Sequence, residues 1–188
     1  ERFHDRTLKN FKAETPEQSH ALAFATAYAD GFDAVMKTGR CAMFVGLPGT
    51  GKTHLAAGIG LRLMHRDKRR VLFTTVMRAV RSIKDTWSKG SDVSETQAVA
   101  ALVRPDLLIL DEVGFQVASA TEKLMLFDVL NERYEKRKPT LLISNLGIEE
   151  VKAYLGERIF DRLREDGGEA VAFGWESYRG RVPSQSDE

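Results

Sequence analysis

Gly46-Leu47-Pro48-Gly49-Thr50-Gly51-Lys52-Thr53 follows the apolar run Cys41-Ala42-Met43-Phe44-Val45 and opens a helical pattern at Leu55, Ile59 and Leu63. Strand, glycine-rich turn and helix in this order build a phosphate cradle. Glycines let successive backbone N–H groups turn inward, and the positive end of the following helix adds to their pull on an anion. Gly46, Pro48, Gly49, Thr50, Gly51, Lys52, Thr53 and His54 form the loop and the first helical turn. Lys52 is spaced to reach the β and γ phosphates, and the Thr53 hydroxyl supplies the hard oxygen that Mg²⁺ requires. The expected ligands are therefore ATP or ADP with Mg²⁺. The bland reading is a glycine-rich hairpin that binds nothing; the strand before it, the helix after it and the Lys-Thr pair weigh against that.

Further apolar runs extend this unit into a sheet. Val71-Leu72-Phe73-Thr74-Thr75, Leu107-Leu108-Ile109-Leu110, Thr140 to Asn145 and Glu169 to Phe173 read as four more strands separated by helices. That alternation predicts an α/β fold with a five-stranded parallel sheet and right-handed crossovers. The Leu107–Leu110 run ends in Asp111-Glu112, and carboxylates at the C-terminal edge of such a sheet stand beside the phosphate loop. Asp111 is expected to hold Mg²⁺ through its water shell, and Glu112 to orient and deprotonate the attacking water. Asn145, at the tip of its strand, is placed to bond the lytic water or the γ phosphate; an isolated asparagine there is otherwise a turn former.

The helices are drawn from caps and spacing. Thr15 caps a helix with Pro16 in its first position, running to about Lys37 with Gly31 weakening its end. A long helix from about Ser119 to Lys138 carries Leu124, Phe127, Leu130 and Tyr134 on one face, and Gly156 divides Glu149–Leu155 from Glu157–Arg164. Met77, Val80, Ile83, Lys84 and Trp87 recur at helical spacing among Arg78, Arg81 and Lys89. One reading makes these core contacts and a capping aromatic. The other makes Lys84 and Trp87 a phosphate-contacting and base-stacking pair for single-stranded nucleic acid.

Composition bounds the rest. At 188 residues the chain suits one domain, and 28 Lys plus Arg against 27 Asp plus Glu announces no global nucleic-acid or membrane surface. The single cysteine, Cys41, lies in an apolar run, which fits a reducing, cytoplasmic setting. No apolar run approaches the roughly 18 residues of a membrane span, and the charged opening is unlike a secretory signal. The first residue is Glu1, which suggests that an upstream, partner-binding segment is missing.

The phosphate loop, the Asp-Glu strand, the Ser144-Asn145 strand tip, Gly156-Glu157-Arg158-Ile159-Phe160-Asp161-Arg162-Leu163-Arg164 and Trp175-Glu176-Ser177-Tyr178-Arg179 together resemble the AAA+ ATPases of the DnaC type. These are bacterial and phage helicase loaders, related to the IstB transposition helpers, and the likeness runs from about Phe11 to Val182. The resemblance implies an AAA+ P-loop fold without a separate helical lid, divided into a strap at residues 1–15, an ATPase domain at 16–182 and a flexible tail at 183–188. It places Asn145 at sensor 1, Arg162 at the arginine finger that enters a neighbouring subunit's site, with Arg158 as the alternative, and Arg179 at sensor 2. It matches Met77–Trp87 to an insertion lining a single-strand channel. It further implies self-association through the ATP site and a replicative helicase as partner, gripped by a segment upstream of this core. The implied function is ATP-dependent helicase loading on single-stranded DNA. An IstB-like helper on duplex DNA, a small-molecule phosphotransferase and a module that has lost hydrolysis are the competitors; Lys52, Thr53, Asp111 and Glu112 disfavour the last.

Overall fold

The computed structural model describes residues 5–88, 90–115 and 119–178. Strands β1 (Ala42–Gly46), β2 (Val71–Thr75), β3 (Leu107–Asp111), β4 (Thr140–Ile143) and β5 (Glu169–Phe173) form one sheet in the order β2-β3-β4-β1-β5. All pairings are parallel, with Met43 opposite Leu142 and Ala170, and Ile109 opposite Phe73 and Leu141. The sheet is the one expected, and its order adds a fact that spacing does not contain. β4 separates the phosphate-loop strand from the Asp-Glu strand, so the tip of β4 stands between them at the C-terminal edge.

Side chains alternate between the two faces of each strand. Ala42, Phe44, Leu107, Ile109, Leu141 and Ile143 face a core built with α1 (Pro16–Asp30), α2 (Phe32–Thr38) and α3 (Lys52–Arg66). Met43, Val45, Leu108, Leu110 and Leu142 face the other core, built with α4 (Val76–Lys84), α5 (Glu95–Val103), α6 (Ala120–Glu135), α7 (Ile148–Leu155) and α8 (Glu157–Arg164). The single helix expected from Pro16 is two, broken at Gly31, whose ψ of 18° leaves the helical well. Thr15 caps it in a reciprocal box with Gln18, as its position predicted. The strap of residues 5–15 is anchored by Leu8 and Phe11, which are buried in the first core. Among the described residues no helix follows β5, and none is long and apolar enough to cross a membrane.

On α6 the buried face is Met125, Leu126, Val129, Leu130 and Arg133, one position round from the expected stripe; Leu124 is 63% exposed. Both stripes have helical spacing, and only the strands beneath decide between them. Arg133 is 0% exposed. Its Nε donates to Thr140 Oγ1 (2.9 Å), its Nη1 to the carbonyls of Leu102 (3.0 Å), Val103 (2.9 Å) and Pro105 (3.1 Å), and its Nη2 to Pro139 O (2.6 Å). The cation thus caps the negative end of α5 and pins the start of β4. Burial pulls its pKa down to about 10, still charged at neutral pH. Arg133→Leu strands several buried carbonyls and should destabilise the fold by about 3 kcal/mol or more, read as a lower urea midpoint. Arg133→Lys should not rescue it, because one ammonium cannot span acceptors on two elements.

Candidate nucleotide-binding site

The loop between β1 and α3 takes its shape from glycines at two close approaches. Gly46 has φ +121°, and a Cβ there would lie 2.4 Å from Phe173 O; Gly51 has φ +96°, and a Cβ would lie 2.6 Å from the Phe11 ring. α3 begins at Lys52 and its first internal bond runs from Leu55 N–H to Gly51 O (3.0 Å). Thr53 and His54, in the first turn of the helix, present backbone N–H groups at its positive end, which is what an anion needs. Lys52 is only 4% exposed, with Nζ donating to Gly46 O (2.7 Å), to Leu47 O and to Thr50 Oγ1 (3.4 Å). Its ammonium is thus held inside the loop.

Thr53 and Asp111, 58 residues apart, meet across the crevice: Thr53 Oγ1 donates to Asp111 Oδ2 at 3.1 Å. Burial pushes the Asp111 carboxyl above the usual range, against the opposing pull of the Glu112 N–H, the Thr53 hydroxyl and the Lys52 charge. A hydroxyl and a carboxylate converging beside a lysine are a hard-oxygen donor set, and they fit Mg²⁺. Glu112 is the first residue past β3, exposed, with φ +62°, a left-handed conformation rare for a side chain of this kind. Asp111 Oδ1 accepts the Glu112 N–H at 2.7 Å and locks that bend.

The tip of β4 is tied on both sides. Ser144 N–H donates to Phe44 O (2.9 Å) and Gly46 N–H to Leu146 O (3.1 Å); Val113 N–H donates to Ile143 O (3.0 Å) and Ser144 Oγ to Val113 O (2.6 Å). Asn145 is exposed at the centre of this network, between the phosphate loop and Asp111-Glu112. Arg162 is elsewhere. Its guanidinium lies 4.7 Å from the Tyr134 ring centroid, in a crevice lined by Cys41, Lys138 and Thr140 at the beginnings of β1 and β4. Arg158 lies over Phe127 (5.7 Å) and is exposed. Arg179 is outside the described residues.

Lys84 and Trp87 are on the surface, the indole 54% exposed. Carboxylates meet both polar ends: Lys84 Nζ pairs with Glu122 Oε1 (2.9 Å), and Trp87 Nε1–H donates to Glu95 Oε2 (2.6 Å). Three residues without an assigned part in the sequence reading border the loop. Phe11 packs edge-on against His54 (5.5 Å) and Tyr178 (6.1 Å), and Trp175 donates to Thr50 O. His54 Nε2 lies 2.9 Å from Thr7 O and 3.0 Å from Asn10 Oδ1, both acceptors here, so Nε2 carries the proton. Its side chain holds the strap, leaving its backbone N–H for the cradle. A capping box at Thr7 and Asn10 was the available signal for this strap.

A family model described as IstB-like ATP binding protein matches residues 32–186. The chain belongs to that family. It is 39% identical over 178 residues to the replicative helicase loader DnaC of Escherichia coli (strain K12), covering 94% of this chain and 70% of that one. The crystal structure of the DnaC helicase loader superposes with a TM-score of 0.82 at 22% identity, covering 92% of this chain and 99% of that one. Replication initiator DnaA bound to AMPPCP and single-stranded DNA gives a TM-score of 0.75 at 21% identity, covering 92% of this chain and 51% of that one. Those superpositions establish an AAA+ P-loop fold, and family membership makes the protein a nucleotide-binding ATPase.

Proposed function

We propose that this protein is an ATP-dependent loader of the replicative helicase, acting in the cytoplasm. The observation that carries the loader reading is the 39% identity to a replicative helicase loader, spread over 94% of the chain. The Thr53–Asp111 contact at the mouth of the phosphate loop supports the ATPase reading. Lys52 and the N–H groups of residues 49–54 hold the phosphates; Thr53 and Asp111 hold Mg²⁺, which when bound screens the phosphate charge. Glu112 orients and deprotonates the attacking water, and Asn145 bonds that water or the γ phosphate. Arg179 senses the γ phosphate within the subunit, and Arg162 completes a neighbour's site. ATP is then a switch: bound subunits assemble side by side on single-stranded DNA with the helicase, and hydrolysis releases it. Residues 5–15 serve as a strap on the ATPase domain that begins at residue 16; residues 1–4 and the tail at 183–188 lie outside the described residues.

Lys84 and Trp87 are the proposed DNA contacts. Trp87→Ala should weaken binding to a labelled single strand about tenfold, the worth of one stacked base, with nucleotide affinity unchanged. Fluorescence anisotropy with ATP present reads both quantities, and equal DNA affinity in the variant removes Trp87 from the interface. The IstB-like description of the family model favours a second reading, a transposition helper on duplex DNA. Duplex preference in the same assay, with no ATP-dependent capture of a replicative helicase, would select it.

A further inference from the structure

A phosphate cradle turns its N–H groups inward, so its carbonyl oxygens face the other way and need donors of their own. Four of the loop's carbonyls fall into two pairs. Gly46 O and Leu47 O accept from the Lys52 ammonium. Gly49 O and Thr50 O accept from residues beyond β5: Tyr178 N–H donates to Gly49 O at 3.0 Å, and the Trp175 indole N–H to Thr50 O at 2.9 Å. Thr50 is 0% exposed, so water cannot replace the indole. When Lys52 turns to phosphate, Gly46 O loses that donor and Leu47 O keeps the Thr50 hydroxyl (2.7 Å), whereas the second pair is still held by residues outside the loop.

Tyr178 also reaches the N-terminal strap. Tyr178 Oη donates to Lys12 O at 2.8 Å, and the Tyr178 ring meets the edge of Phe11, whose own ring fills the space above Gly51. Trp175 is braced on Phe173, ring centroids 4.8 Å apart, and Phe173 O accepts the Leu47 N–H at 3.0 Å. Loop, strap and the segment after β5 thus close on one another around the phosphate end of α3.

We propose that Trp175 and Tyr178 are positioning residues for nucleotide binding: they hold the outer carbonyls of the phosphate loop so that its N–H groups are set before phosphate arrives, and Tyr178 ties the loop to the strap. The proposal rests on the loop binding nucleotide. Preorganisation of this kind strengthens binding of ATP and ADP alike and leaves the chemical step alone.

Titration with fluorescent methylanthraniloyl-ADP and -ATP tests it on Trp175→Phe, which keeps an aromatic ring against Phe173 and removes the indole N–H with the smaller ring that carries it. Both dissociation constants should rise about fivefold or more, the cost of one stranded buried carbonyl, while kcat at saturating ATP stays within about twofold of wild type. Unchanged dissociation constants overturn the proposal, as does a fall in kcat without a change in affinity. Failure of the wild type to bind either nucleotide overturns the nucleotide reading instead. Tyr178→Phe keeps the peptide N–H and loses only the hydroxyl. Hydrogen exchange at residues 7–12, slowed by nucleotide in the wild type, should lose that response in this variant; a persisting response overturns the tie to the strap.

Discussion

Glu112→Gln is expected to slow ATP turnover by about 1,000-fold while changing ATP affinity by less than about twofold. Glutamine keeps the size and hydrogen-bonding reach of glutamate and lacks a basic oxygen, so it removes proton abstraction and little else. The two adjacent carboxylates are not interchangeable. Asp111 is half-buried, bonded to Thr53 and raised in pKa by its burial; Glu112 is exposed and thrown outward by a left-handed bend. Asp111→Asn should therefore disturb the Thr53 contact and nucleotide binding together, whereas Glu112→Gln separates chemistry from binding. Single-turnover phosphate release and nucleotide titration measure the two quantities. Normal turnover in the glutamine variant would take the base away from Glu112, and a parallel loss of binding would make it a structural residue.

Those two carboxylates were readable because the run that carries them to a strand end is local. Lys52, Thr53, Asp111 and Glu112 lie at strand ends or helix starts, and strand ends follow from apolar runs a few residues long. Gly156 and Thr15 were readable for the same reason, each acting on its own neighbours. What was hidden depends on pairing over long separations. Nothing in the run Thr140–Ile143 says that it inserts between β1 and β3, and that insertion is what puts Asn145 at the centre of the edge. Arg133 sits on a helix among other charged residues, and only the packed carbonyls of α5 and β4 distinguish it from a solvated arginine. On α6 the stripe expected from spacing shares Leu130 with the buried face and places Leu124 and Tyr134 on the surface, because two apolar stripes of similar spacing run side by side there. Leu8 and Phe11 showed no periodicity because a short 3-10 turn, Leu8–Asn10, has too few residues to display one.

The strongest test of assembly is Arg162→Ala, expected to lower turnover of the assembled protein about 1,000-fold, the usual worth of a guanidinium on a transferring phosphoryl group. ATP binding by the dilute, isolated subunit should be unchanged. Geometry separates Arg162 from its own subunit's phosphates: it lies on α8 beside the beginnings of β1 and β4, whereas the phosphate loop follows the end of β1. Any action on phosphate is therefore in a neighbour's site. Within the subunit the guanidinium is stacked on Tyr134, with Nη1 buried and no hydrogen-bond partner, a placement that costs solvation and that a partner oxygen would relieve. A lost structural contact and a lost finger both lower turnover, so the decisive experiment mixes variants. Glu112→Gln subunits have a dead site and an intact Arg162; Arg162→Ala subunits have an intact Glu112 and no finger. Mixing the two inactive proteins should restore part of the activity, since some interfaces then join a working glutamate to a working arginine. No recovery at any ratio, together with a wild-type rate per site that does not depend on protein concentration, would show that each subunit completes its own chemistry and that Arg162 only braces α8 against Tyr134.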